Sequence, residues 1–231
     1  MYGGFNMKKV LSSLLVASAA LLLVGCGSSS NKTESSTSTS KTTASSSEVA
    51  SGASQKQEFT DPKELKDSYD VIIVGAGGAG MSAAIQAKEA GANPVIFEKM
   101  PVVGGNTTKS SGGMNASETK FQKEQGIQDS NDTFFNDTLK GGGGTNDKEL
   151  LRYFVDHSAD AIDWLDSMGI TLNNISYSGG ASVKRIHRPA DGSAVGGYLV
   201  KGLTKNVLDR KIPVFLNADV TKINEKDGKG S

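Results

Sequence analysis

Three glycines and one acid have the spacing of a nucleotide site. Gly75, Gly77 and Gly80 form a G-x-G-x-x-G pattern, and Glu98 follows 23 positions after the first of them. In such a pattern the glycines allow a sharp turn, close approach of the backbone to a pyrophosphate, and tight packing of a helix on a strand. An acid about 20 residues further on is typical of a group that binds ribose hydroxyls. A glycine-rich turn without a ligand does not explain Glu98, so the pattern predicts a dinucleotide site.

Strands and a helix must position these residues. Tyr69–Val74 is a short β-branched apolar run, which predicts a strand buried on both faces of a parallel sheet. Met81–Ala90 is typical of a helix, with Gly91 at its end. Asn93–Glu98 and Pro213–Asn217 are predicted to be further parallel strands. These elements predict an α/β fold of the Rossmann-like kind.

The composition excludes some classes of function and points to a processed N-terminus. The 231 residues include 25 basic and 25 acidic side chains, so no charge excess indicates a nucleic-acid partner. Lys8 and Lys9 precede an apolar run that ends at Leu23-Val24-Gly25-Cys26, which is typical of a secretory signal peptide. That ending also resembles the bacterial lipobox, in which the cysteine is lipidated.

We therefore predict three segments. Residues 1–26 are a lipoprotein signal peptide with Cys26 as the lipidation site, and residues 27–58 are a Ser/Thr-rich disordered tether. Residues 59–231 form the folded part. This arrangement predicts a lipid anchor in the cell membrane and a location on its extracytoplasmic face.

A second glycine cluster, residues 104–113, follows Glu98 and contains two Gly-Gly pairs. A nicotinamide-binding domain has no evident need for them, whereas the wide, flat isoalloxazine of FAD requires backbone to pass close by. The run 98–115 resembles the flavoprotein family of fumarate reductases and succinate dehydrogenases, nearest to its flavocytochrome c type. Three later stretches are similar to the same family: D-T-x-K-G-G at 137–142, H-S with D-W within 157–164, and G-G-A-S-V with H-R-P within 179–189.

The resemblance implies an FAD-binding domain of the glutathione-reductase-like type, with FAD as the cofactor. It implies FAD contacts beyond the glycine turn, and it places the last of them on the adenine side. The predicted positions are Gly75, Gly77, Ala79, Gly80, Glu98, Asn106, Thr107, Ser111, Gly112 and Val220.

The activity implied by the resemblance is reduction of an α,β-unsaturated carboxylate such as fumarate. The reduced flavin gives a hydride to the β-carbon, a protein acid protonates the neighbouring carbon, and a membrane or extracytoplasmic donor supplies the electrons. The family's proton-donating arginine and its substrate-binding residues are expected downstream of residue 231. Residues 59–231 are therefore expected to be the N-terminal part of a longer FAD-binding domain, without catalytic residues.

Other interpretations stay open. One alternative is another flavin enzyme of the same superfamily, such as a urocanate reductase, a ketosteroid dehydrogenase or an L-aspartate oxidase. A non-catalytic, truncated FAD-binding lipoprotein is a further alternative. Tyr177-Ser178 stands where the flavocytochrome c type has a methionine just before Gly-Gly-Ala-Ser-Val. If that position lines the active site, we expect the smaller polar residue to admit another unsaturated acid, such as urocanate.

The middle of the chain predicts further elements. Asp147–Met168 has the apolar spacing of one helix, with Trp164 as a core residue. His157 has no second histidine four positions later, so a capping or packing role is favoured over a metal site, and no metal is predicted. His187 lies in a predicted basic loop, residues 184–189, either as a structural residue or near the substrate or flavin. Asp227-Gly228 predicts a hairpin turn whose return strand is absent.

Overall fold

The computed structural model describes residues 58–230. The predicted signal peptide, Cys26 and all but the last residue of the predicted tether lie outside this range. Within it, no helix is both long and apolar enough to cross a membrane. The strands are β1 Val71–Val74, β2 Pro94–Phe97, β3 Met114–Asn115, β4 Asn174–Ser176, β5 Ile186–Arg188, β6 Val214–Phe215, β7 Glu225–Lys226 and β8 Lys229–Gly230. The helices are α1 Gly78–Glu89, α2 Lys120–Glu124, α3 Asn131–Gly141, α4 Lys148–Asp156, α5 Ser158–Ser167 and α6 Val195–Asp209, with 3₁₀ helices at Pro62–Glu64 and Gly105–Lys109.

A parallel sheet of order β1-β2-β6 carries the predicted strands. β1 pairs with β2 so that Ile73 lies opposite Ile96, and β2 pairs with β6 so that Ile96 lies opposite Val214. The three predicted parallel strands are therefore confirmed. Since all three run in the same direction, their carboxyl ends meet at one edge of the sheet, which is where ligands bind in open α/β sheets.

The prediction that β1 is buried on both faces is wrong for the described residues. Ile73 is buried, but Ile72 is 47% exposed and Val74 is 54% exposed. β1 lies at the edge of the described sheet, with β2 as its neighbour on one side. In β2, which lies between two strands, both Val95 and Ile96 are fully buried.

Helix α1 packs against this sheet, and α6 packs against α1 and the 3₁₀ helix at Gly105–Lys109. α1 begins at Gly78, three residues earlier than predicted, and the left-handed Gly91 follows its end as expected. The core joins α1, α6 and the sheet, and its buried residues include Met81, Ile85, Ile96, Leu203, Val207 and Val214.

A small antiparallel sheet of order β3-β5-β4 was not predicted. The segment expected to be a basic loop at 184–189 contains β5, in which Met114 lies opposite His187 and Ile175 lies opposite the same residue on the other side. The strand forms because Ile186 and His187 are both buried between neighbouring strands, so their backbone groups pair there rather than with water.

The predicted helix over 147–168 is two helices, α4 and α5, separated at His157. Ser158 donates its hydroxyl hydrogen to the Val155 carbonyl at 2.8 Å, and a side chain that bonds the backbone in this way competes with helix continuation. His157 caps α4 and packs on Tyr153 with ring centroids 4.5 Å apart, as the capping interpretation predicted. Trp164 is partly buried against the core.

The Asp227-Gly228 turn is confirmed, but the expectation of an absent return strand is wrong. β7 pairs with β8 in an antiparallel hairpin, and Asp227 and Gly228 have φ of 54° and 75°. Positive φ at both central residues is the geometry of the two-residue turn that Asp-Gly favours.

Candidate functional site

The first glycine turn lies at the carboxyl end of β1. Gly75 has φ of 98°, which favours glycine, and its N–H donates to the Phe97 carbonyl of β2 at 2.7 Å. A Cβ added at Gly80 would lie 1.9 Å from the Gly75 carbonyl oxygen, so only glycine fits there. Residues 75–80 and Glu98 are called the dinucleotide loop below.

Glu98 is buried and holds the loop with its side chain. Its Oε2 accepts from the Ala76 N–H at 2.7 Å, and its Oε1 accepts from the Met100 N–H at 2.9 Å. A carboxylate has about four acceptor positions, so capacity remains for two ribose hydroxyls. The predicted role of this acid therefore fits its position beside the glycine turn.

The second glycine cluster packs directly on the first. The Gly104 N–H donates to the Ala76 carbonyl at 2.8 Å, and Thr107 Oγ1 accepts from the Gly78 N–H at 3.0 Å. Gly104 has φ of 109°, and a Cβ there would lie 2.2 Å from Thr108 Oγ1. Gly104 was noted in the sequence only as part of a Gly-Gly pair, and the structure shows that it joins the two clusters.

Helix α6 fixes the second cluster from the other side. The Gly196 N–H donates to the Ser110 carbonyl at 3.0 Å. A Cβ on Gly196 would lie 2.3 Å from the Thr107 carbonyl oxygen, so the first turn of α6 approaches the 3₁₀ helix at Gly105–Lys109 as closely as backbone allows. The second glycine of this pair, Gly197, has open space around it.

The predicted FAD contacts fall into two groups. Gly75, Gly77, Gly80, Glu98 and Thr107 are brought together by the bonds just described, and Ala79 is exposed in the first turn of α1. The Ala218 N–H donates to the Glu98 carbonyl at 2.9 Å, which brings the loop that contains Val220 near the acid.

The other group lies further along the second cluster. Asn106 and Ser111 are exposed, and Gly112 lies near Ile186 of β5, 3.6 Å from its Cδ1 if a Cβ is added. Among the described residues, no hydrogen bond joins these three to the dinucleotide loop. They lie in the chain segment between the dinucleotide loop and β3 of the antiparallel sheet.

This arrangement suits the diphosphate of an adenine dinucleotide. Gly77, which precedes α1, offers no side-chain cap. The Gly78 N–H is bonded to Thr107, so the Ala79 and Gly80 N–H groups and the positive end of the helix dipole are what α1 offers to an anion. The glycine backbone gives close approach, and the spare acceptor capacity of Glu98 suits a ribose. The residues therefore fit the phosphate and sugar parts of FAD.

A buried charge cluster, defined as Asp129, Asp137 and Arg185, lies beside the antiparallel sheet and was missed from the sequence. Arg185 is 1% exposed and bonds Asp129 through Nε at 2.9 Å and Nη2 at 2.8 Å, and Asp137 through Nη1 at 2.7 Å. Burial alone would lower the pKa of Arg185, but the bonds to the two carboxylates raise it above its usual value. The guanidinium is therefore charged and paired.

His187 is next to this cluster, and both of its ring nitrogens have hydrogen-bond partners. Its Nδ1 lies 2.8 Å from the Arg185 carbonyl, which can only accept, so Nδ1 carries the hydrogen and Nε2 accepts from the Thr119 hydroxyl at 2.8 Å. Burial lowers the pKa of His187 below 6.5, so the ring is neutral at pH 7. Of the two interpretations left open by the sequence, these contacts favour the structural one.

Similarity to known proteins agrees with this geometry. The model of the family described as FAD binding domain matches residues 70–230. NADH:fumarate oxidoreductase of Klebsiella pneumoniae is 56% identical over 156 residues, which are 68% of this chain and 17% of that protein. Fumarate reductase (cytochrome) of Shewanella frigidimarina is 44% identical over 165 residues, which are 71% of this chain and 29% of that protein.

A solved structure gives the same result for the fold. The open conformation of a flavocytochrome c3 fumarate reductase superposes with a TM-score of 0.68 at 39% identity, over 71% of this chain and 29% of that one. The chain thus spans 17% to 29% of the length of these three proteins. Because the family model covers most of its residues, this chain belongs to the FAD binding domain family, and its relatives include fumarate reductase flavoproteins.

Proposed function

We propose that a protein containing this chain uses FAD to reduce the carbon–carbon double bond of a small α,β-unsaturated carboxylate, with fumarate as the first candidate. The chain itself contributes the part of the site that holds the phosphates and ribose. The identity to two fumarate reductases supports the substrate class. The single observation that carries the proposal is the dinucleotide loop, in which Gly75, Gly80 and Glu98 meet at the end of β1.

The described residues have binding and positioning roles in this proposal. The first turn of α1 attracts the diphosphate, and Glu98 accepts hydrogen bonds from the ribose while it also holds the Ala76 N–H. The second glycine cluster places its backbone next to the glycine turn, since the Gly104 N–H donates to the Ala76 carbonyl. FAD, when bound, supplies the hydride for the alkene, and no group in residues 58–230 is assigned the proton transfer.

We further propose that the protein is anchored to the extracytoplasmic face of the membrane by a lipid on Cys26 and receives its electrons from a membrane or extracytoplasmic donor. The sequence around Cys26 supports this, although it lies outside the described residues. Labelled palmitate should be incorporated into the wild-type protein and not into Cys26→Ser, which should leave the membrane fraction. Membrane retention of Cys26→Ser without any label in either protein would contradict the anchor.

Oxidation of anaerobically reduced viologen tests the activity. The protein expressed from its complete reading frame should be yellow and should oxidise the dye when fumarate is added. Lys66→Gln, a change in the exposed segment before β1, shows how far a surface substitution by itself alters the rate, and it should be as active as wild type. A yellow protein without turnover on any unsaturated acid would favour a non-catalytic flavin-binding lipoprotein. Reduction of an added oxidised acceptor dye by a ketosteroid or L-aspartate would favour the related dehydrogenases or oxidases.

Urocanate is the second candidate substrate, because of the position of Ser178. Ser178 lies in the wall of a cavity described below, and its hydroxyl donates to Asn115 Oδ1 at 3.1 Å. A small polar residue leaves more room there than a methionine does. The same viologen assay with urocanate in place of fumarate decides between the two acids: the one with the larger kcat/KM is the better substrate.

A further inference from the structure

A cavity of about 320 Å³ lies between two walls at the end of the second glycine cluster. One wall is formed by α3 and the glycine-rich turn that follows it, with Thr138 and Gly142 among its residues. The other is the β4–β5 loop, residues 177–185, with Gly179 and Gly180 facing the cavity. Asn115 of β3, two residues after Gly113, lines it as well.

Polar side chains line part of the cavity. Asn115, Thr138 and Ser178 belong to its wall, and so does Asn146, whose Oδ1 is buried without a hydrogen-bond partner among the described residues. The volume of the cavity and these polar groups suit a polar molecule of the size of a small organic acid.

Asp137 joins the two walls. It lies on α3, and its Oδ2 accepts from the Ser182 N–H at 2.8 Å, the Ser182 hydroxyl at 2.7 Å and Arg185 Nη1 at 2.7 Å. The two residues that donate, Ser182 and Arg185, both belong to the β4–β5 loop. Asp137 Oδ2 thus links this loop to α3 across the cavity. Ser182 comes two positions after Gly180, the second of the two glycines that line the cavity.

Asp129 provides an internal comparison. It binds the same Arg185, through two bonds, and its side chain is fully buried. However, it makes no bond to Ser182 and does not line the cavity. If the acids served only to neutralise Arg185, Asp129 would suffice for most of that task, and the bonds from Asp137 to Ser182 would be unexplained.

Other hydrogen bonds hold the two ends of the loop, from Ser178 to Asn115 and from Gln122 to the Lys184 carbonyl, so the bonds to Asp137 are the ones that hold its middle. Gly179 and Gly180 have no side chains to pack, and Gly180 has φ of 77°. Glycines increase the conformational freedom of a segment, so an external bond is required to keep one arrangement. Charged hydrogen bonds are the stronger kind, and a carboxylate receiving several of them is well suited to this.

We propose that Asp137 is a positioning residue that sets the place of the β4–β5 loop and, through it, the shape of the cavity that receives the unsaturated acid. The claim that the cavity receives the unsaturated acid rests on the proposed function, whereas the claim that Asp137 holds the loop does not. Asp137 lines the cavity, but its Oδ2 already accepts three hydrogen bonds from Ser182 and Arg185, so its role is to hold the loop rather than to bind the substrate. Its effect on the reaction is therefore expected in the choice between acids of different size rather than in loss of all turnover.

Three variants of the protein expressed from its complete reading frame test this: Asp137→Asn, Ser182→Ala and Asp129→Asn. The first measurement is hydrogen–deuterium exchange of residues 178–183 in the FAD-loaded protein. The second is the ratio of kcat/KM for fumarate to that for its methyl-substituted form. One methyl group is worth about 10- to 200-fold in kcat/KM in a well-fitted pocket, so a displaced wall should lower the ratio by about tenfold.

We expect faster exchange of 178–183 and a lower ratio in Asp137→Asn, and a smaller change of the same kind in Ser182→Ala, whose exposed side chain makes misfolding no concern. Asp129→Asn should lower Tm and leave the ratio as in wild type. Equal changes in both Asp variants, or unchanged exchange in Asp137→Asn, would overturn the inference. A wild-type protein that reduces neither acid would overturn the proposed function instead, and the exchange rates would still decide whether Asp137 holds the loop.

Discussion

The dinucleotide loop and the charge cluster achieve order by opposite means. The loop uses backbone groups and glycines, and its one buried charge, Glu98, keeps acceptor capacity free. The cluster uses side chains, and each charge of Arg185, Asp129 and Asp137 is matched by hydrogen bonds within it. The first region keeps hydrogen-bonding capacity for a ligand, whereas in the second the charged groups are bonded to one another and hold neighbouring segments in place.

This difference indicates which kind of substitution should harm each region. In the dinucleotide loop, an added side-chain atom is harmful because it overlaps the backbone that must approach the ligand closely. In the cluster, a removed charge is harmful because it leaves a partner buried and unpaired. The following predictions test that contrast, beginning with the largest expected effect.

Gly80→Ala should abolish FAD binding. The new methyl group would lie 1.9 Å from the Gly75 carbonyl oxygen, which is backbone and cannot move without breaking the turn. We expect a colourless protein, measured by the flavin absorbance per polypeptide. Gly197→Ala is the matched control, since this helical position has open space and alanine favours helices by about 1 kcal/mol over glycine. Normal flavin content in Gly80→Ala would contradict the steric account.

Asp129→Asn should destabilise the fold strongly. Removing one partner of a buried pair costs about 3–5 kcal/mol because the other charge is left uncompensated. The free energy of unfolding from urea titration measures the loss. Glu89→Gln breaks the exposed pair with Arg210 and should cost less than about 1 kcal/mol, as surface pairs do. Equal losses would remove the distinction between the closed cluster and the surface.

Glu98→Gln should weaken FAD binding without unfolding the protein. The amide keeps the shape of the carboxylate but loses its charge, and hydrogen bonds to charged groups are worth about 1.5–3 kcal/mol, so Kd should rise about 10- to 100-fold. Isothermal titration of the apoprotein with FAD gives Kd. The exposed acid Glu118, which accepts from the Asn131 N–H and has no bond to the dinucleotide loop, serves as a control, because Glu118→Gln should bind FAD as wild type does. An unchanged Kd for Glu98→Gln would remove the acid from the ribose site.

His187 should make stability depend on pH by a smaller amount. Burial lowers its pKa below 6.5, so the folded protein keeps it neutral where the unfolded chain binds a proton. Its contribution is complete above pH 6.5 and decreases as pH falls below that value, by at most about 1.4 kcal/mol per pH unit. Unfolding midpoints between pH 5.5 and 7.5 should show this slope in wild type and in His157→Gln, whose histidine is exposed, and should not show it in His187→Gln.

The sequence revealed the dinucleotide loop because its requirements are local. A positive φ at Gly75 and the absence of a side chain at Gly80 are each specified by one residue type within a run of six. Glu98 could be found since the length of one helix fixes its distance from the glycines. The parallel strands followed from apolar runs of the right length.

The charge cluster could not be found in that way. Asp129 and Asp137 lie 56 and 48 residues before Arg185, and no periodic pattern joins them. The break at His157 depends on one hydroxyl of Ser158, which a helical pattern does not register. Ile72 and Val74 point to the same face of the sheet, and their exposure depends on what covers that face, which an apolar run does not determine.

The pairing of Ile96 with Val214 sets an order of events during synthesis. The Glu98 N–H donates to the Phe215 carbonyl, and its own carbonyl accepts from Ala218, so the acid is held only after the chain has reached that point. At about 5–20 residues per second, ribosomes need roughly 6 to 24 s to cover that distance. A nascent chain shorter than this should be unable to retain the coenzyme, so coenzyme capture should follow the synthesis of β6 rather than that of the glycine turn.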